Sequence, residues 1–327
     1  MINGQKKIAA IAGIALIGVV VVSALIKKGY HNYFRHKAGR VREIFQNNKA
    51  YDILYLGSSR MHNAINPQII DSVTGFKSYN AGVEGGNMFE FKMTFDGYLV
   101  NHPPPSVMIL SIDAKSFDIK KDIFFPPQYF ECLDNPVVYN GMSLQKDYNT
   151  FLIRYLPFSR IIYYDDFTKI KAVSGLLGAN EMKQLNSFEY NGFLSNGNAC
   201  IDTSIELKQP SVSFSFQKDA VNWLQQIITK CKREKIELLI TFSPEYRYVS
   251  QQAVENFPFF SKLLDSMGTV NGLPVYRDDS LELCRYPCNF ANPTHLNTRG
   301  AAVYSAVIAQ RISNLVQSKA IRSFWHI

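Results

Sequence analysis

Cysteine is sparse in this sequence, at five of 327 residues, which excludes a small disulfide scaffold. Charged residues are also few, at 19%, against 46% hydrophobic residues. That balance excludes a chain disordered over most of its length. Only one long apolar run exists, so a multi-span membrane protein is not expected. The glycines do not form G-x-G-x-x-G in a first strand–turn–helix unit, so a dinucleotide site has no support. No internal repeat or low-complexity tract stands out. The chain is long enough for one large domain or two small ones around a substantial core.

The formal charge of +8 points at first to nucleic acid or anionic lipid. Its placement decides between them. Lys6, Lys7, Lys27 and Lys28 flank the apolar run, with no acid before residue 29. Arg35, Lys37, Arg40 and Arg42 follow against Glu43, which leaves residues 44–327 near neutral. The excess is a membrane-edge feature, and no nucleic-acid partner is expected.

Residues 8–26 carry no charge over 19 positions, a helix of roughly 28 Å, close to the thickness of bilayer hydrocarbon. No polar stripe interrupts the run, as a buried core helix would require. Residues 1–28 are therefore read as a transmembrane signal-anchor. Val22-Ser23-Ala24 resembles a cleavage site, but the run is long for a cleaved signal. Counting lysines and arginines places the C-terminal part in the cytoplasm, whereas long domains translocate despite such charge. The expected location is a single-pass cell-membrane protein with its domain on the extracytoplasmic side, and the charge count stands against it. Residues 29–50 read as a juxtamembrane linker helix, with Tyr30 and Tyr33 either at lipid headgroups or on a solvated face.

From residue 51 a rhythm begins. Short apolar strands are predicted at 51–56, 76–80, 107–112, 237–242 and 273–276, with helices at 66–73, 87–100, 214–235, 248–268 and 298–316. Asn66 caps the first of these helices and Pro67 takes its first position. Alternating strands and helices imply an α/β fold, a parallel sheet covered on both faces, with the site at the carboxyl ends of the strands. Residues 114–212 lose the rhythm and are rich in Tyr, Phe, Asn and Asp. They read as an insertion or cap within a domain spanning 51–327.

Three segments carry chemistry. Gly57-Ser58-Ser59 follows the first strand, where a serine presents its hydroxyl and N–H to the crevice. Asn80-Ala81-Gly82-Val83-Glu84-Gly85-Gly86-Asn87 follows the second, where glycine lets backbone approach a substrate. Asn292-Pro293-Thr294-His295 precedes the last helix, and an imidazole there can serve as general base. Singly, each reads more simply: a capping serine, a turn needing positive φ, a surface histidine.

Together the three blocks resemble the SGNH/GDSL hydrolase superfamily over residues 51–316. The anchor and the Gly-Ser-Ser start are similar to its membrane-anchored branch, with the teichoic acid D-alanyl transfer protein and the alginate acetylation proteins. The resemblance implies a flavodoxin-like three-layer α/β/α domain. It implies Ser59 as nucleophile, His295 as base, and the N–H groups of Ser59 and Gly82 as oxyanion donors, with Asn87 in the substrate-binding block. The implied reaction is ester hydrolysis or O-acyl transfer on acetyl-type esters of an envelope glycan or lipid-linked sugar, without metal or organic cofactor. The implied partners are that substrate, the membrane, and a multi-span acyltransferase. The alternative is a non-catalytic accessory or glycan-binding protein on the same fold.

Two positions depart from the pattern. Asn292 stands where the family has aspartate three residues before the histidine, so the imidazolium loses a charge partner. Asp113 stands where the third block supplies an oxyanion asparagine, and a carboxylate repels an oxyanion. Asp278, Asp279 or Asp113 could replace the missing acid if the fold brings one to His295. Cys284 and Cys288 could form a disulfide, or a zinc site with His295; Cys132, Cys200 and Cys231 read as buried or unpaired. Glu245, after the fourth strand, is expected to face the crevice, where it reads as a substrate contact or, more simply, as a loop carboxylate.

Overall fold

A computed structural model describes residues 2–118, 123–184, 189–202, 216–247 and 257–324. Parts of the expected 114–212 insertion and of the helices expected at 214–235 and 248–268 lie outside the described residues. The chain forms two compact units, one from 1–43 with 125–185, the other from 44–124 with 186–327.

The larger unit holds a five-stranded parallel sheet. In chain order its strands are β1 (Ile53–Leu56), β2 (Ser78–Asn80), β3 (Val107–Ser111), β4 (Glu237–Phe242) and β5 (Val275–Arg277). Their spatial order is β2-β1-β3-β4-β5, all parallel. This is the flavodoxin-like doubly wound order. Register runs through Ile53 beside Ser78 and Val107, and Leu110 beside Ile240. Both faces are buried, as continuous apolar strands require. Ile53, Tyr55 and Ile109 enter a core with Met61, Ile70, Tyr304, Ile308 and Ile312 from the helices Ser59–Ala64, Pro67–Thr74 and Thr298–Phe324. Leu54, Leu56, Met108 and Leu110, pointing the other way, are fully buried too. Helices Met88–Asn101 and Lys218–Arg233 pack on one another. The architecture is the three-layer α/β/α sandwich expected from the alternation.

The smaller unit begins with one helix, Ile2–Tyr33, whose apolar part is long enough to cross a membrane and almost wholly exposed. Its last turns are different. Tyr30 and Tyr33 are 3% exposed, with Tyr30 stacked on Tyr164 at 5.3 Å, so neither lies at headgroups or in water as expected. The helix Asp166–Leu176 lies against it backbone to backbone. A Cβ at Gly29 would fall 1.9 Å from the Ala172 carbonyl oxygen, and one at Gly175 would fall 2.1 Å from the Gly29 carbonyl oxygen. Only glycine permits this approach. The helix Arg35–Phe45 continues the unit: Arg40 Nη2 donates to Gln128 Oε1 at 2.7 Å, and Lys37 Nζ meets Glu181 Oε1 at 3.3 Å.

Candidate active site

The polar turns of the larger unit meet at the carboxyl end of its sheet. β1 leads through Gly57 into the short helix Ser59–Ala64, capped by Ser58, whose Oγ accepts from Arg60 N–H at 3.3 Å. Ser59 is thus the first helical residue, and its N–H is one of the donors a helix start leaves over. The backbone after β2 continues alongside β1, with Ala81 N–H donating to Tyr55 O and Val83 N–H to Gly57 O, both at 2.8 Å.

Asn80 ties these turns together. Fully buried, it donates through Nδ2 to Met61 O (2.9 Å) and Ile65 O (2.8 Å), closing the serine helix, while its Oδ1 accepts Gly82 N–H at 3.0 Å. Gly82 passes so close to that helix that a Cβ would lie 2.6 Å from His62 N.

His295 arrives from the other end of the chain. Phe290–Asn292 and His295–Leu296 form a small antiparallel pair, with Asn292 opposite His295 across the Pro293-Thr294 turn. Buried Phe290 and Leu296 fix the pair to the core. The loop after β4 braces it, Tyr246 N–H donating to Pro293 O at 2.8 Å. A spacing of three residues therefore sets the two side chains side by side.

Ser59 Oγ lies 2.8 Å from His295 Nε2, and His295 Nδ1 lies 3.0 Å from Asn292 Oδ1. The tautomer follows from one neighbour. Thr294 N–H, which can only donate, reaches Asn292 Oδ1 at 3.1 Å, so that atom is an acceptor. Donating to that acceptor, a neutral imidazole carries its proton on Nδ1 and leaves the Nε2 lone pair for the Ser59 hydroxyl. Thr294 Oγ1, 3.2 Å from Asn292 Oδ1 and 3.0 Å from Nδ1, completes the cluster. Burial, and then the Arg60 guanidinium, bring the imidazole down to about 4 from its ordinary 6.5, against the pull of Asp113 and Glu84. At neutral pH the ring is uncharged.

None of the three carboxylates considered for the triad bonds to Nδ1. Asp278 is committed to Arg311 at 2.5 Å and Tyr304 at 2.6 Å. Asp279 pairs with Arg277 at 3.0 Å. Asp113 accepts from Ser58 Oγ (2.8 Å), Ser116 N–H (2.9 Å) and Ser116 Oγ (3.0 Å), with Arg60 Nε 3.9 Å away. Arg60 in turn bonds Glu245 through Nη1. Asp113 thus caps a helical turn and faces a cation, which answers the charge conflict that its position raised.

The other expected residues have partners within the fold. The Gly82 N–H, expected at an oxyanion, is engaged by Asn80 Oδ1. Asn87, expected in substrate binding, caps the helix Met88–Asn101, its Oδ1 accepting from Phe89 N–H and Glu90 N–H. Cys288 bonds to Cys200, not to Cys284. Cys284 is buried, its Sγ 3.3 Å from Asp278 O and its thiol pushed up to about 12 by burial, so neither the 284–288 disulfide nor the zinc reading stands. Among the described residues no cluster of His, Cys, Asp and Glu has the makings of a metal site. Sequence reasoning missed Arg60 and Thr294. Arg60 had a signal, as a charged residue directly after the candidate serine.

No protein-family model and no curated protein matches the chain. Solved structures with a likeness to the chain include three described as follows. A lipase/acylhydrolase from Enterococcus faecalis is 12% identical, covering 80% of this chain and 95% of its own, at a TM-score of 0.39. A protein from Bacteroides fragilis described as an acylhydrolase is 10% identical, covering 87% and 97%, at 0.41. One from Streptococcus pneumonia described as a platelet activating factor is 10% identical, covering 91% and 98%, at 0.43. The chain's own strand order, with a serine turn after β1, a glycine turn after β2 and a histidine before the last helix, is that of a flavodoxin-like three-layer α/β/α fold with its polar turns at the carboxyl ends of the strands.

Proposed function

We propose that the protein is a membrane-anchored serine esterase or O-acyltransferase acting on acyl esters, acetyl foremost, of an envelope glycan or lipid-linked sugar. One observation carries the proposal: the Ser59–His295 hydrogen bond, with Nδ1 held on Asn292. Ser59 Oγ attacks the acyl carbon as its proton passes to His295 Nε2. The sugar oxygen leaves with that proton, and the acyl group stays on Ser59. Water, or a second hydroxyl, then attacks the acyl carbon and gives its proton to Nε2, which passes it to the departing Ser59 Oγ and so restores the serine and the neutral imidazole. Ser59 N–H holds the oxyanion; Gly82 N–H would have to leave Asn80 to join it.

The exposed apolar helix supports the anchor, and the burial of its last turns favours its retention over cleavage. The Cys200–Cys288 disulfide supports the extracytoplasmic side against the charge count, because such bonds persist in oxidising compartments. A multi-span acyltransferase remains the proposed partner. The exposed Asn292, in place of a carboxylate, favours a second reading, a non-catalytic accessory or glycan-binding protein. Hydrolysis of p-nitrophenyl acetate by purified protein separates the two: Ser59→Ala abolishes it in the first reading, and there is none to abolish in the second.

A further inference from the structure

The helix Asp166–Leu176 in the smaller unit is built inside out. Its inward face is small and tightly packed: Thr168 and Ala172 are fully buried, and Gly175 touches Gly29. Its outward face is large and apolar. Phe167 is 57% exposed, Ile170 64%, Val173 46%, and Leu177, just past its end, 85%. Their spacing puts all four on one stripe. Ile162, in the preceding turn Pro157–Tyr163, is 74% exposed. A water-facing helix has the opposite pattern, and a contiguous patch of this kind marks a contact surface.

What covers the patch follows from where the segment is tied. Ser23 Oγ donates to Phe158 O at 3.0 Å. Ser23 lies three residues inside the end of the apolar run at Ile26, about 4.5 Å along the helix axis. The segment beginning at Pro157 is therefore fastened to the anchor at the depth where hydrocarbon starts. Farther out, Asn32 Nδ2 reaches Gly175 O at 3.2 Å. Around the Ser23 tie lies an apolar crevice of about 320 Å³, lined by Val20, Ala24, Pro157, Phe158 and Ile161, with Lys27 and Arg160 at its rim. Apolar surface continuous with a membrane span, and small-residue packing underneath it, is the chemistry of an element that lies in a lipid leaflet.

We infer that residues 157–177 form a second membrane element, which lies in the outer part of the leaflet beside the anchor and contacts acyl chains through Ile162, Phe167, Ile170, Val173 and Leu177. The inference rests on the anchor proposed above. It makes the protein monotopic as well as anchored, and fixes the smaller unit at the bilayer surface rather than on a free tether.

Site-directed spin labelling of the full-length protein, reconstituted in vesicles of phosphatidylethanolamine and phosphatidylglycerol, tests it. The free thiols Cys132, Cys231 and Cys284 are buried, so new surface cysteines take the label. Labels at Ile162→Cys, Phe167→Cys and Leu177→Cys are compared with Ile14→Cys in the span and Val73→Cys, an exposed site on the other unit. The expected result is collision with oxygen exceeding collision with a water-soluble nickel chelate at 162, 167 and 177, as at 14, with the reverse at 73. Labels at those three sites that behave like 73 while 14 stays in lipid would overturn the inference and leave the anchor standing. If 14 also behaves like 73, both fail. Strong dipolar broadening at 162 and 177, with neither reagent reaching them, would assign the patch to a second copy instead.

Discussion

Asn292 Oδ1 stands 3.0 Å from His295 Nδ1 and is held there as an acceptor by the Thr294 N–H. A neutral amide can thus do half of what a triad carboxylate does. It fixes the tautomer and the ring orientation, and it leaves the imidazolium without a counter-charge.

The Asn292→Asp variant should therefore gain activity. Replacing a neutral acceptor by an ionised one strengthens the hydrogen bond to the imidazolium by about 1–1.5 kcal/mol, or about tenfold in kcat/KM. The gain stays well below the roughly 10⁴-fold effect of a wrong tautomer, because the tautomer is already correct. Steady-state kinetics on p-nitrophenyl acetate measure it; an unchanged or lower rate would show that Nδ1 is not where charge matters.

The pH profile carries a second expectation. His295 is the base only when neutral, and burial with Arg60 brings it down to about 4. The acid limb of kcat/KM should therefore fall near pH 4 and not near the ordinary 6.5. In Asn292→Asp the limb should move upward. Stability has the same sign. The unfolded chain binds the His295 proton near 6.5 and the folded one only near 4, so this group's contribution is lost as pH falls through that window. His295→Gln should flatten that part of the stability curve, as followed by thermal melts.

Asn80 is expected to matter without touching substrate. It joins Met61 O, Ile65 O and Gly82 N–H in the core. Asn80→Ala leaves buried backbone groups unsatisfied, at about 1–3 kcal/mol each. It should lower the melting temperature, and Asn80→Asp, which accepts but cannot donate when ionised, should not restore it.

Reduction of Cys200–Cys288 should also destabilise the fold. The bond closes a separation of 88 residues, for which about 2–4 kcal/mol is typical. Denaturant curves of Cys200→Ser against the parent measure the difference.

The sheet was legible in the sequence because its strands are short, apolar and bounded by Gly, Pro and Asn. Ile53–Leu56 and Glu237–Phe242 fall where apolar runs stop at Gly57 and Pro244. The pairing of Ser59 with His295 was legible only through the resemblance, since 236 residues separate them and no local pattern encodes that contact. The partner of Cys288 was not legible, because spacing favours Cys284 whereas the bond joins the chain near Asn297, which donates to Ala199 O and Cys288 O. Nor was the role of Asn87, because an Asn before a helix serves a cap and a substrate equally well in sequence. Arg60 was missed because a charge neutralised by two distant acids, Asp113 and Glu245, shows only in three dimensions.

The central claim is that His295 activates Ser59. Reaction of the purified protein with a fluorophosphonate, followed by peptide mass spectrometry, tests it most directly. The expected result is a single adduct on Ser59, lost in Ser59→Ala and strongly slowed in His295→Gln. Absence of any adduct on Ser59 in the folded protein, or labelling at a rate indifferent to His295, would contradict it.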